Sequence, residues 1–399
     1  MPASPVIVAL ELGTSKVIAL VGEMREDQHI MITGMGEQPS RGISKGVVVD
    51  IDAAADAVKA ALEMAEESGE VTIRQVVLAV SGGHIRSDVH RGVVPVRDRT
   101  EITRHDMRAV MDVAKAVNLP TDCEVLHTIC QHYCIDGQQR VVTPEGMEGA
   151  RLELDMLVVH GLRSPMRNTI KAVEDLMIGV KDVIYAGLAS GLSVLSPEQK
   201  KGGALVIDLG AGTTEYVAYA GNVIAATGAL GVGGDHVTND IALAFNIPER
   251  QAERCKIEHG GALILEDVDG KVSVAPGVGF GGRKISRQSL QTVINARVDE
   301  TLQMVRKRLE EDKVPLHLAA GIVLVGGGAH MPGITDLAAG ILGMPCSVGR
   351  PRDVSGLAMA TEGPEYATCT GLIQYACRKW QTGRRGKALG GLFKNILKR

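Results

Sequence analysis

Two short segments of this chain combine residue types that could hold a polyphosphate. One reads Glu11-Leu12-Gly13-Thr14-Ser15-Lys16, the other Asp208-Leu209-Gly210-Ala211-Gly212-Thr213-Thr214. Each places an acidic side chain two positions before a glycine and hydroxyl residues just after it. Glycine lets the backbone approach a ligand closely, and successive N–H groups then form an anion-binding concavity. Thr14, Ser15, Thr213 and Thr214 add hydroxyl donors, and Lys16 adds a positive charge for a phosphate. Asp208 and Glu11 could hold Mg2+ through water, since that ion keeps several waters and binds few carboxylates directly. Either segment alone is also what an ordinary hairpin looks like. Their matched recurrence carries the argument.

The flanking elements must position these turns. Apolar runs at residues 6–10 and 17–22 flank the first, and runs at 204–207 and 216–219 flank the second, so each reads as strand, tight turn, strand. Glu11 and Asp208 lie 197 residues apart, which predicts a duplicated α/β lobe. Gly233-Gly234 precede a predicted helix, whose N-terminus favours an anion. Gly326-Gly327-Gly328 follow a buried strand, where a flat base could lie against bare backbone. Neither a P-loop nor a dinucleotide glycine fingerprint occurs.

Helices are predicted over residues 52–67 and 286–311, and after Thr103, with Asp106 reaching back to its cap. Another should open with Ser164 as cap and Pro165 in the first helical position. Strands near 125–135 and 152–159 mark 84–162 as a separate unit. There Cys130, His132 and Cys134 would share one strand face at intervals of about 7 Å, with His127 on the other, so they converge on a zinc ion only if the strand bends and otherwise read as ordinary strand residues.

At 399 residues the chain should contain two or more domains, and 45% hydrophobic content supplies their cores. Abundant glycine and few aromatics suit an α/β protein with many tight turns. Seven cysteines without disulfide-framework spacing suit a reducing cytosol. No signal-peptide pattern opens the chain, and no apolar run approaches the ~20 residues that span a bilayer. A cytoplasmic location is therefore expected.

Net charge is −4, yet from Arg378 to Arg399 there are eight basic residues and no acidic ones, leaving the rest at −12. Such a body is not a nucleic-acid binder; only its basic end seeks an anionic surface. Residues 378–388 read as a flexible basic linker. Beyond them Leu389, Leu392, Phe393, Ile396 and Leu397 occupy an arc of about 140°, with Lys387, Lys394 and Lys398 opposite. That pattern predicts an interfacial helix over 389–399 on an anionic membrane surface. Gly390 and Gly391 each cost about 1 kcal/mol of helicity, so it should form only at the membrane.

The chain resembles the actin, DnaK-type chaperone and sugar-kinase superfamily, and within it the bacterial cell-division FtsA family. The stretches ELGTSKVIALVGE, SRGISKGVVVD, AGLASGLSVL, DLGAGTTEYV, AERCKIEHG and LAAGIVLVGGGAHMPG carry the resemblance in order along nearly the whole chain. It implies an actin-like two-lobed α/β fold with duplicated ribonuclease-H-like lobes, binding ATP and Mg2+. Residues 1–83 and 163–196 would form the first lobe core, and 197–239 and 315–377 the second. Residues 84–162 would be an inserted α+β subdomain for self-assembly, and 240–314 a subdomain receiving the C-terminal peptide of FtsZ. Gly13, Thr14, Ser15 and Lys16 would line one side of the phosphates, and Asp208, Gly210, Gly212, Thr213 and Thr214 the other. Gly233, Gly234, Lys256, Gly327 and Gly328 would surround the adenosine. Arg287, Arg297 and Glu300 would meet the FtsZ peptide, with Arg297 gripping it.

The implied function is to tether FtsZ, with other divisome proteins, to the inner face of the cell membrane at the division site. Two departures bear on catalysis: Glu11 stands where most of the superfamily has Asp, and Ala211 where glycine is usual. No residue stands out as a general base, so ATPase activity should be slow at most. An actin-like component of a pilus or secretion apparatus is the alternative. A small-molecule kinase is a weaker one, since no carboxylate points to a substrate hydroxyl.

Overall fold

The computed structural model describes residues 6–25, 29–97, 101–265, 270–276, 280–315 and 317–384. The expected helix over 389–399, with Lys387, lies outside them. The chain opens with a meander of β1 (Val6–Leu12), β2 (Lys16–Met24) and β3 (Ile30–Pro39), then a small hairpin of β4 (Ile43–Ser44) and β5 (Val47–Val48). Helix α1 (Ile51–Gly69) and β6 (Gln75–Val80) follow. The next unit holds β7 (Arg86–Pro95), α2 (Arg104–Lys115), β8 (Cys123–Ile135), β9 (Gln139–Val141) and β10 (Arg151–Leu162). Then come α3 (Arg163–Glu174), β11 (Gly179–Tyr185), α4 (Ala186–Val194) and α5 (Pro197–Gly202).

A second meander comprises β12 (Ala204–Leu209), β13 (Thr214–Ala220) and β14 (Val223–Leu230). It leads to α6 (Gly234–Phe245), α7 (Glu249–His259), the hairpin β15 (Lys271–Val274) and β16 (Arg283–Ser286), and α8 (Arg287–Glu311). The chain continues through β17 (Ile322–Val325), α9 (Ile334–Leu342), β18 (Cys346–Val348), β19 (Val354–Gly356), α10 (Ala358–Glu362) and α11 (Ala367–Arg384).

The two large sheets share one plan. The first runs β11-β6-β1-β2-β3-β19 and the second β18-β17-β12-β13-β14. In each, the first meander strand pairs antiparallel with its successor and parallel with a later strand, β6 or β17. Both faces of the sheets are covered, so the central strands are apolar throughout rather than alternating. Along β1, Ile7 and Ala9 enter one core while Val8, Leu10 and Leu12 enter the other.

Helix α1 shows how residues build a lobe. Asp50 caps it, its carboxylate accepting from Ala53 N, and Ala54, Val58, Ala61, Leu62 and Ala65 are buried along the predicted face. Gly34 and Gly36 of β3 let the helix backbone close in: a Cβ on Gly36 would sit 1.9 Å from Ala61 O. Helix α8 likewise begins after Ser286, whose hydroxyl accepts from Ser289 N, and buries Leu290, Ile294, Val298, Leu302, Val305 and Leu309.

Strands β7-β10-β8-β9 form their own antiparallel sheet, and α2 packs on one face around Val110, Ala114, Leu152, Leu154 and Met156. Thr103 and Asp106 form the expected capping box of α2. The expected common face of Cys130, His132 and Cys134 is not found. A register shift in β8 pairs Cys130 with Met156 but His132 with Asp155 and Cys134 with Glu153. A bulge of one residue re-aims every side chain beyond it, so Cys130 packs toward the α2 core. Among the described residues no group of His, Cys, Asp or Glu could hold a metal by such clustering.

Three other expectations are corrected. Helix α3 begins at Arg163 without a side-chain cap, so Pro165 sits third in the first turn, where its missing N–H is equally harmless. The end of the segment 315–377, expected in the second lobe, lies on the first: β19 pairs with β3, and Cys369, Leu372 and Ile373 of α11 pack against β1 and β2. Helix α11 also runs through Arg384, into the stretch expected to be a flexible linker. Trp380 packs against the first-lobe core and Lys379 bonds Asp182, which extends the helix past residue 378.

Candidate functional site

The two predicted turns are close copies. Gly13 N donates to Lys16 O (3.1 Å), and Gly210 N donates to Thr213 O (3.0 Å). A Cβ on Gly13 would lie 2.7 Å from Lys16 O, and one on Gly210 2.9 Å from Thr213 O, so both positions need glycine for the same reason. The tips meet. A Cβ on Gly212 would lie 2.4 Å from Thr14 Oγ1 and 2.8 Å from Lys45 Cα. Gly46 N donates to Thr14 Oγ1 (3.0 Å), which brings the β4–β5 turn over both tips. Sequence reading quoted that turn but assigned it no role. Lys45 there is exposed, with φ +49°.

Below the tips lies a cluster of carboxylates. Register places Ile18 opposite Glu11 but Glu215 opposite Asp208. Burial first, then Asp208 and Glu215, push Glu11 up to about 8. Burial raises Asp208 as well, and burial and Asp208 together raise Glu215. Like charges in a poorly solvated space each oppose ionisation of the others. Thr368 Oγ1 donates to Asp208 Oδ2 (3.2 Å), and Cys369 Sγ donates to Glu11 Oε2 (3.7 Å), so the first turn of α11 closes the floor. Ser81, after β6, donates to Glu215 from the other lobe and lies 3.3 Å from Thr213 Oγ1.

The remaining predicted residues are distributed around this cluster. Lys16 Nζ bonds Glu37 Oε2 (2.9 Å) and lies 4.9 Å from the centroid of the Tyr366 ring, whose hydroxyl donates to the same carboxylate (2.8 Å). Gly233 packs on the second turn: a Cβ there would lie 2.5 Å from Gly210 O. Gly234 N and Asp235 N donate to Gly210 O and Ala211 O (3.0 and 2.8 Å), so these first amides of α6 brace the turn. Lys256 reaches from α7 to the same place, donating to Gly234 O (3.0 Å) and Thr238 Oγ1 (2.8 Å) and pairing with Glu253 (2.6 Å).

The third glycine cluster backs against Asp208. Gly326 has φ +79°, and a Cβ on it would lie 2.3 Å from Asp208 Oδ1. A Cβ on Gly328 would lie 2.7 Å from Leu209 Cβ, whereas one on Gly327 would meet nothing within 4 Å. Gly327 thus presents bare backbone to open space beside the turns.

Arg287, Arg297 and Glu300 lie apart from this site on α8. Arg297 grips Asp240 of α6 through Nε (2.6 Å) and Nη2 (3.2 Å) and also pairs with Glu300, so its guanidinium already has acidic partners.

The carboxylate cluster was legible only in part. Glu215 follows directly from closing the second turn at Thr214, but Thr368, Cys369, Ser81 and Tyr366 are far away in sequence and carried no local signal. Among the described residues no three carboxylates are placed to ligate one ion directly, but Glu11, Asp208 and Glu215 lie near enough to raise one another, and Mg2+ held through water would relieve that repulsion.

Comparisons with known proteins agree with this architecture. A family model described as "Cell division protein FtsA" matches residues 205–371, and one described as "SHS2 domain inserted in FTSA" matches 82–160. Cell division protein FtsA of Pseudomonas aeruginosa is 39% identical over 378 residues, covering 94% of this chain and 90% of the relative. Its counterpart in Escherichia coli K12 is 37% identical over 377 residues, covering 92% and 90%.

Among solved structures, the PilM–PilN type IV pilus biogenesis complex matches with a TM-score of 0.65 at 19% identity, covering 93% of this chain and 98% of that one. MreB 5 of Spiroplasma citri bound to AMPPNP matches with 0.56 at 16%, covering 97% and 100%. At such identities these structures speak for the fold alone, which is the actin-like one. With the duplicated lobes, the inserted subdomain and the two relatives taken together, the chain belongs to the FtsA family of cell division proteins.

Proposed function

We propose that this protein binds ATP with Mg2+ between its lobes, self-assembles, and tethers FtsZ to the inner face of the cell membrane during division. The observation that chiefly supports nucleotide binding is the meeting of two equivalent glycine turns above the Glu11, Asp208 and Glu215 carboxylates. Asp208, flanked by Glu11 and Glu215, would hold Mg2+, and the cation would offset their repulsion. Gly13, Thr14 and Ser15 would face the phosphates from one lobe, and Gly210, Gly212, Thr213 and Thr214 from the other. Bare backbone at Gly327 leaves room for the base, while Gly233, Gly234 and Lys256 hold the second turn in place.

Glu11, pushed up to about 8, keeps its proton at neutral pH in the ligand-free protein and is not a free base there. Membership of the FtsA family supports FtsZ as partner over a pilus component, and the basic, one-sided apolar pattern of residues 387–398 supports the membrane. Helix α8 offers Arg287, Arg297 and Glu300 to the FtsZ peptide, which would have to displace Asp240 from Arg297.

Co-sedimentation with anionic liposomes and FtsZ, with and without ATP, tests the reading. FtsZ should reach the pellet only when this protein is present. Deleting residues 384–399 should leave both in the supernatant. Protein that pellets alone while FtsZ stays behind would retain the anchor and discard the partner.

A further inference from the structure

The β4–β5 hairpin belongs to the first lobe but touches the second. Val48 is buried in the first-lobe core, and Ile43 packs beside it. Ser40 N, just ahead of the hairpin, donates to Ser15 O of the first glycine turn (2.9 Å), and Val49 N donates to Gly42 O (2.8 Å) across the open end. Lys45 and Gly46 form the turn between the strands. Gly46 N donates to Thr14 Oγ1 (3.0 Å), and a Cβ on Gly46 would lie 2.8 Å from Ser81 Oγ and 2.9 Å from Thr213 Cγ2. The Lys45 backbone in turn lies against Gly212.

The contacts with the second glycine turn locate this hairpin along the cleft. Gly233 and Gly234, with Lys256 beside them, meet that turn at Gly210 and Ala211. The β4–β5 turn meets it at Gly212 and Thr213, beside Ser81 and so next to Glu215. A phosphate chain held between the two glycine tips therefore runs from the α6 end toward Lys45, and its last phosphate ends at the β4–β5 turn.

Charge singles out Lys45. Lys16 is engaged by Glu37 and Tyr366, and Lys256 by Glu253 and Gly234 O. Among the described residues Lys45, which is exposed, has no carboxylate within ion-pair distance. Its φ of +49° is a left-handed conformation that lysine adopts less readily than glycine or asparagine. A long cation thus stands where backbone geometry alone favours a smaller residue. Its four-carbon stem starts at the meeting of the tips, which puts the ammonium within reach of a phosphate held between them.

We propose that Lys45 contacts the terminal phosphate of the bound nucleoside triphosphate and makes the site prefer the triphosphate over the diphosphate. The inference rests on the nucleotide reading above and deepens it. A diphosphate lacks the group that the ammonium would meet, so it gains nothing from Lys45. The hairpin is built on the first lobe and its turn bears on Gly212 and Thr213 of the second. The same contact would therefore fasten the lobes together in the triphosphate state.

The test is calorimetry of the full-length protein with Mg-AMPPNP and with Mg-ADP, comparing wild type with Lys45→Asn and Lys45→Arg. Asparagine tolerates the left-handed backbone while removing the charge, so the melting temperature should not fall. Arginine keeps the charge. Lys45→Asn removes one charge-assisted hydrogen bond, so it should bind Mg-AMPPNP about tenfold more weakly and Mg-ADP within about twofold of wild type. Lys45→Arg should recover most of the Mg-AMPPNP affinity.

Equal losses for both nucleotides would overturn the terminal-phosphate contact, because the lysine would then serve the inner phosphates or the turn itself. Unchanged affinity for both in Lys45→Asn would overturn it too, while leaving nucleotide binding standing. Wild type that binds neither Mg-AMPPNP nor Mg-ADP would remove the nucleotide reading, and the role of Lys45 with it.

Discussion

The β1–β2 and β12–β13 turns close with the same hydrogen bond and demand glycine at the same place, yet they differ in charge. In the second lobe Asp208 faces Glu215 across the hairpin, whereas in the first Glu11 faces Ile18. The position that is Thr213 in the second turn is Lys16 in the first, and its ammonium is engaged by Glu37 and Tyr366. Duplication thus supplied one backbone shape twice, and substitution gave the second copy two facing carboxylates and the first a single carboxylate with a lysine. A metal–phosphate ligand needs both: oxygens for the cation and a positive charge for the phosphates.

The largest effect should come from breaking the meeting of the turns. Gly212→Val would drive a branched side chain into Thr14 Oγ1, 2.4 Å from the added Cβ, and should weaken ATP binding by more than about 100-fold by calorimetry. Gly221→Ala, where an added Cβ meets nothing within 4 Å, serves as a control, its left-handed φ of +62° costing roughly 1–2 kcal/mol of stability away from the turns.

The asymmetry of the carboxylates comes next. Asp208→Asn should lower Mg-ATP affinity by about 100-fold and Glu11→Gln by about tenfold, roughly 2.7 and 1.4 kcal/mol. Equal losses would mean that the lobes contribute equally and that Glu215 is idle.

A third expectation concerns pH. Glu11 ordinarily titrates near 4.5 and is pushed up to about 8 here. Between those values the folded protein keeps a proton that the unfolded chain has released, so ligand-free stability falls as pH rises through that window. The melting temperature should drop from pH 5 to pH 8, and Glu11→Gln should flatten the profile. Mg-ATP should flatten it too, by relieving the same repulsion.

The smallest effect lies in the first turn. Lys16→Met should weaken ATP several-fold. Glu37→Gln, which removes the competing carboxylate, should strengthen it about threefold if Lys16 moves to the phosphates. No change in the second variant would mean that Lys16 stays with Tyr366 and serves the fold.

Local pattern determined a great deal. Apolar runs broken by glycine predicted both hairpins, helical spacing predicted α1 and α8 nearly to the residue, and Thr103 with Asp106 predicted the cap of α2. These features depend on neighbours a few positions apart, where covalent geometry sets who meets whom. The interval between Glu11 and Asp208 even revealed the duplication.

What the tertiary structure alone decided involves long separations or a change of one residue in register. The bulge in β8 parted Cys130 from His132. Chain return through β19 and α11 assigned residues 354–384 to the first lobe and brought Thr368 and Cys369 under Asp208 and Glu11. Arg297 was spoken for by Asp240, 57 positions away. Such contacts follow from how whole sheets and helices pack, since closing a long loop costs little more than closing a moderate one and so leaves almost no local trace. The sequence by itself therefore determined which groups could do chemistry, and only packing decided which of them meet.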